Sequence, residues 1–95
     1  MIKYLKQDED FNELIKNRVL VDFYAEWCGP CKRLMPILEQ IDSIDIIKVN
    51  TDLFPQLART YGIMSIPTLI LFDGGKEIRK EIGFKTKDEI EQMLK

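Results

Sequence analysis

Histidine is absent from this chain of 95 residues, and cysteine occurs only twice. A mononuclear zinc site normally takes four ligands, mostly Cys and His. One copy offers two thiolates and no imidazole, so zinc is left with a site shared between two chains or completed by carboxylates. An excess of positive charge is also missing. Fourteen Lys and Arg stand against sixteen Asp and Glu, a net charge of −2, and both signs are spread along the chain. No basic stripe exists to track a phosphate backbone, which argues against a nucleic-acid partner. Long apolar runs are lacking too. The longest, Ile66 to Phe72, is far too short to cross a bilayer, and no membrane role is expected. The opening Met1-Ile2-Lys3-Tyr4-Leu5-Lys6-Gln7-Asp8 turns polar at once and leaves no room for the apolar stretch of a secretion signal, so the expected location is cytoplasmic. Repeats, linkers and low-complexity segments are absent, and the length suits a single domain over residues 1–95.

What is present is a foldable composition: 45% hydrophobic residues supply a core, and 32% charged residues a solvated surface. The two cysteines, Cys28 and Cys31, are three positions apart. In a cytosolic chain such a pair is an improbable structural staple. The loop it closes is also too small to constrain the unfolded chain much. Redox chemistry is the better use of it.

The hydrophobic pattern alternates between strand-like and helix-like stretches. Ile2 to Leu5 reads as a short strand. Asp8 to Lys16 reads as a helix with Phe11, Leu14 and Ile15 on one face and acids at its start. Val19 to Ala25 is β-branched and aromatic on both faces, the pattern of a central strand covered on two sides. A helix follows from the cysteines to about Ile41, carrying Leu34, Leu38 and Ile41 at helical spacing and Pro36 as a kink. Ile46 to Val49 is the next strand. Thr51 or Asp52 caps a short helix that ends at Gly62. Thr68 to Phe72 and Lys76 to Ile82 form a hairpin around Asp73-Gly74-Gly75. Thr86 and Glu89 make a capping box for a last helix. The order β-α-β-α-β-α-β-β-α predicts an α/β fold: a mixed sheet of about five strands with helices on both faces.

Disulfide exchange needs one thiolate that attacks and a second thiol that releases the enzyme. Cys28 and Cys31 follow a buried strand and open a helix. The first therefore sits near the free N–H groups of a helix N-terminus, which favour an anion and lower a thiol pKa. Cys28 is read as the exposed nucleophile and Cys31, one turn further in, as the shielded resolving thiol. Pro30 fits the first helical turn, where a missing N–H costs little. Asp22 interrupts the apolar run of its strand. If it faces the strand edge it is an ordinary solvated acid. If it is buried, its pKa rises and it becomes a proton acceptor or donor for Cys31.

The stretch Val21-Asp22-Phe23-Tyr24-Ala25-Glu26-Trp27-Cys28-Gly29-Pro30-Cys31-Lys32 resembles the active-site segment of thioredoxins. Tyr61-Gly62-Ile63, Ile66-Pro67-Thr68-Leu69, Gly74-Gly75 and Gly83 follow in the family's order, so the resemblance covers nearly the whole chain. It implies the thioredoxin fold and a protein disulfide reductase that needs no cofactor and no metal. It implies disulfide-containing target proteins, recharging by a thioredoxin reductase, and a monomer. Asp22 matches the family's buried acid. Lys48 matches the lysine near it, either paired with Asp22 or facing solvent as an ordinary strand lysine. The resemblance makes the Ile66–Pro67 bond cis and gives the Ile66 backbone a part in pairing with an extended substrate segment. Trp27, Gly29 and Pro30 beside the thiols, with Gly83 and Phe84 across from them, form a flat docking surface; the alternative for Trp27 is the core. The Gly-Pro pair between the cysteines resembles the reducing branch of the family.

The chain departs from the family pattern in three places. Tyr24 stands where many thioredoxins have tryptophan, a change expected to alter packing more than chemistry. Met64-Ser65 before Ile66 is expected to affect partner fit. The span from Cys31 to Lys48 is shorter by about a helical turn, a cut expected to lie away from the active end. A second function class stays open: a binding module in which the redox activity is incidental. Loss of disulfide reduction and of partner binding together in Cys28→Ser separates the enzyme from the module.

Overall fold

The computed structural model describes residues 1–95. Nine elements appear in the expected order: β1 (Ile2–Tyr4), α1 (Phe11–Leu14), β2 (Val19–Tyr24), α2 (Gly29–Leu38), β3 (Asp45–Asn50), α3 (Pro55–Thr60), β4 (Thr68–Asp73), β5 (Lys76–Ile82) and α4 (Lys87–Met93). They build one five-stranded sheet in the order β1-β3-β2-β4-β5. β3 runs parallel to both β1 and β2, whereas β4 is antiparallel to β2 and β5. The sheet is therefore mixed, and β2 lies at its centre with all six residues buried. No helix is long and apolar enough to cross a membrane.

Two cores flank the sheet. On one face Val19, Val21, Phe23, Ile47, Val49, Ile70 and Phe72 meet Phe11 and Ile15, with Leu57 and Tyr61 of the α3 region packed alongside. On the other, Leu20, Ile46, Leu69 and Leu71 meet Leu34 and Leu38 of α2 and Ile90 and Met93 of α4. Alternation along β2 divides its side chains between the two, which is why its pattern is apolar throughout.

Local chemistry sets the boundaries, and several differ from the pattern reading. The first helix is four residues long, not nine. Asp10 caps it by accepting the N–H of Asn12 at 3.0 Å. It stops because the carbonyls of Ile15 and Lys16 accept the N–H groups of Gly75 and Gly74, at 2.9 and 3.1 Å, instead of extending the helix. α2 ends at Leu38, short of Ile41, yet Ile41 keeps its place in the core. Neither Thr51 nor Asp52 caps α3: Phe54 occupies the cap position with Pro55 following it. The Asn50 side chain instead accepts the N–H groups of Asp52 and Leu53, at 2.9 and 3.2 Å. That turn leaves the Asp52 carboxylate free to face elsewhere. The β4–β5 turn uses Gly74 and Gly75 at φ 61° and 81°, the left-handed pair that a two-residue hairpin turn demands. The Thr86–Glu89 capping box forms in both directions, at 3.2 and 2.9 Å.

One row of the sheet positions the site. Tyr4 of β1 lies opposite Lys48 of β3, Lys48 opposite Asp22 of β2, and Asp22 opposite Leu69 of β4. These four, and Tyr24 two residues beyond Asp22, share the face covered by α2.

Candidate functional site

The sheet's central strand runs out at Tyr24, and α2 begins at Gly29, so the turn between them presents its residues at the carboxyl end of parallel strands. Open α/β sheets bind ligands at this end. Cys28 is the N-cap of α2, and its sulfur accepts the Cys31 N–H at 3.2 Å. A cysteine thereby fills the role that Ser, Thr, Asp or Asn usually plays, and its sulfur lies where the free N–H groups of the helix converge. Cys28 and Cys31 are joined by a disulfide with Cα atoms 5.2 Å apart. The contrast in exposure expected of the pair is small: Cys28 is 4% and Cys31 2% exposed. The flanking Tyr24, Ala25 and Ile66 cover both. What distinguishes the two is their surroundings. The Cys28 sulfur lies 3.8 Å from the Ile66 carbonyl oxygen, a contact rather than a hydrogen bond because a disulfide sulfur carries no proton. Cys31 instead lines a cavity leading to Lys48.

The expected docking residues gather around the cysteines. Trp27 is 70% exposed, which excludes the core reading, and its Nε1 donates to Asp52 Oδ2 at 3.0 Å. Gly29 and Pro30 are exposed beside it. The Ile66–Pro67 bond is cis. The Pro67 carbonyl accepts the Gly83 N–H at 2.7 Å. Gly83 has φ 91°, a conformation other residues rarely adopt. The half-exposed Phe84 ring has the Arg33 guanidinium 5.8 Å from its centroid, which ties it to α2. A groove of 410 Å³ runs between Trp27 and the segment Ile63 to Ile66.

Beneath the cysteines lies the polar interior. Asp22 is 0% exposed and Lys48 is buried, so the reading of Lys48 as a solvent-facing lysine fails. Lys48 Nζ stands 3.4 Å from Asp22 Oδ2. The pair is close but poorly aligned, and neither Asp22 oxygen has a hydrogen-bond partner. Burial therefore dominates. It lifts the Asp22 carboxyl from 3.8 to about 6, against the partial lowering by the Lys48 charge. A cavity of 230 Å³ adjoins Lys48, with Cys31, Met35, Tyr4 and Tyr24 in its wall. Its wall is largely apolar, with the Lys48 ammonium and Glu26 among the polar groups in it. No group of three or more His, Cys, Asp or Glu stands close enough to hold a metal ion.

Pattern reading missed four participants. Asp52 was assigned to a helix cap but anchors Trp27. Arg33 reaches Phe84, Met35 brings its sulfur 3.1 Å from Lys48 Nζ, and Tyr4 faces Lys48 from the edge strand. None is visible locally, since each contact joins separate elements.

The family model for thioredoxin matches residues 2–95. The chain is 42% identical over 98 residues to a thioredoxin of Chlamydia muridarum, covering 99% of this chain and 96% of that one. It is 50% identical over 91 residues to a thioredoxin of Chlamydia caviae, covering 90% and 89%. Among solved structures, a mutant thioredoxin from Halobacterium salinarum NRC-1 superposes with a TM-score of 0.89 at 31% identity, covering 98% of this chain and 87% of that one. A disulfide capping a helix at the end of the central strand, in a chain matched to this family from its second residue to its last, leaves one conclusion: the chain belongs to the thioredoxin family and is a protein thiol–disulfide oxidoreductase.

Proposed function

We propose that Cys28 is the attacking thiol of a protein disulfide reductase, that Cys31 resolves the intermediate, and that Asp22 takes the Cys31 proton. The placement of Cys28 at the helix cap beside the Ile66 carbonyl, with Cys31 sharing a cavity wall with Lys48, the ion-pair partner of Asp22, carries this reading. In the reduced protein the Cys28 thiolate attacks one sulfur of a target disulfide. The target S–S bond breaks, a mixed disulfide forms, and one target thiolate leaves. Cys31 then gives its proton, through the cavity, to the Asp22 carboxylate and attacks the Cys28 sulfur. The mixed disulfide breaks, the second target thiolate departs, and Cys28–Cys31 is left oxidised by two electrons. Above pH of about 6 Asp22 is a carboxylate and able to accept that proton. Resolution therefore quickens as pH rises through this value.

The docking geometry favours an extended target segment. The Ile66 backbone beside the cysteines offers it a strand-like partner, and Trp27, Gly29, Pro30, Pro67, Gly83 and Phe84 frame it. Lys48 tunes Asp22 by its charge. Family members act on disulfide-bearing proteins and are recharged by thioredoxin reductase. We assign the same class of reductant to this chain, and a monomeric, cytoplasmic way of working in one domain.

The assignment of the two thiols is tested with Cys31→Ser and Cys28→Ser in an insulin-reduction assay. Cys31→Ser is expected to accumulate a mixed disulfide at Cys28, and Cys28→Ser to form none. A mixed disulfide on Cys31 in the second variant reverses the assignment.

A further inference from the structure

Lys48 holds an unusual position for a lysine. Its long flexible stem normally carries the ammonium to water, yet here the residue is buried with an acid that makes no hydrogen bond to it. Something else must hold the charge in place. The ammonium lies 4.3 Å from the centroid of the Tyr24 ring and 5.7 Å from that of Tyr4. Both distances fall within the range at which a cation is drawn to an aromatic face. The rings pack edge to face, with centroids 6.2 Å apart at 77°. Met35 Sδ, 3.1 Å from Nζ, closes the remaining side. Register makes this arrangement: Tyr4 is directly across from Lys48 on β1, and Tyr24 lies on β2 two residues past Lys48's other partner, Asp22.

We propose that Tyr4 and Tyr24 are positioning residues for the resolving half of the exchange: their rings seat the Lys48 ammonium against Asp22, in the wall of the cavity that Cys31 shares. The proposal rests on the reading above, in which Asp22 takes the Cys31 proton. It also revises the expectation that the aromatic change at Tyr24 alters packing more than chemistry. A tyrosine here places a ring face over the ammonium while its partner on the edge strand closes the outer side. Without that seat the ammonium swings to water, and Asp22 loses the one charge that eases its ionisation. The other ionisable groups around the cavity are Glu26 on the loop after β2, and Cys31 and Lys32 on α2. From β4 the facing residue is the apolar Leu69, with the exposed Glu81 of β5 beyond it.

The test follows the Asp22 carboxyl by carbon NMR through a pH titration of the oxidised protein, beside the pH profile of mixed-disulfide resolution in the reduced one. In Tyr24→Leu the Asp22 midpoint is expected to rise by at least about half a pH unit. Tyr4→Leu, on an exposed edge strand where the fold tolerates change, is expected to move it the same way by less. Tyr24→Phe keeps the ring and is expected to hold the midpoint. In a Lys48→Met background, Tyr24→Leu is expected to add no further rise. A zero or downward shift in both leucine variants overturns the seat, because a ring lost from a merely structural site admits water and eases ionisation. An equal rise in the Lys48→Met background overturns it too. If the midpoint rises but the resolution profile stays put, the seat stands and the proton-accepting role of Asp22 falls.

Discussion

Two regions of this protein bury side chains by opposite rules. The paired cores on the two faces of the sheet hold ten residues each, and not one is charged. At the carboxyl end of β2 a cluster of four, Tyr24, Ala25, Cys28 and Cys31, adjoins a buried acid and a buried lysine. Leu20 and Asp22 make the comparison direct. They are two positions apart on the same face of the same strand, and both are 0% exposed. Leu20 gains free energy on leaving water, about 1.5–3 kcal/mol for a side chain of its size. Asp22 loses it. Moving a carboxyl's midpoint from 3.8 to about 6 costs about 3 kcal/mol of stability once the pH lies above that midpoint. Burial thus holds the fold together along most of β2 and opposes it at one position, two residues before the strand ends. A raised pKa on the strand that leads to the cysteines fits the proton-accepting role proposed for Asp22.

The comparison can be broken from either side. Cys28→Ser is expected to have the largest effect, abolishing disulfide reduction while circular dichroism shows the fold retained, since the disulfide closes only a three-residue separation. A next, opposite kind of damage comes from Phe72→Ala, which empties a fully buried position in one core. It should cost about 3–5 kcal/mol in urea unfolding and leave the specific activity of the folded fraction unchanged.

Asp22→Asn should do the reverse, slowing turnover while stabilising the fold by about 1–3 kcal/mol at pH 7. The gain is smaller than the full cost because the Lys48 ammonium is left without its counter-charge. The sign follows from proton binding. Between 3.8 and about 6 the native state keeps a proton that the unfolded chain releases, so wild-type stability falls as pH rises through that window. The gain in Asp22→Asn should therefore vanish near pH 4, and a variant destabilised at pH 7 would erase the distinction between the two regions. Thr86→Ala, which removes the side-chain cap of α4, should have the smallest effect, costing only about 1 kcal/mol of stability in urea unfolding.

Much of this was legible beforehand where the signal is local. The nine elements appear in the predicted order because strand alternation, helical spacing and turn glycines are properties of neighbouring residues. Asp22 stood out because a charge inside an apolar strand has few explanations. Reading failed where distant segments compete for one group. The first helix is short because Gly74 and Gly75 take the carbonyls of Lys16 and Ile15, just past its end, across some sixty positions of chain. Asp52 does not cap α3 because Asn50 makes that turn and the Trp27 indole claims the carboxylate.

By itself, then, the amino-acid sequence determined the class of fold, the cysteine pair at a strand-to-helix junction and the anomalous acid, since each follows from the order and spacing of side chains along a few turns or strands. Only the tertiary structure decided how nearly alike the two cysteines are in exposure, that Lys48 turns inward to Asp22, and that Tyr4 and Tyr24 meet over its ammonium. Those facts depend on the register between β1, β3 and β2. Register is a relation between segments brought together by burying the whole sheet, and no one segment carries it.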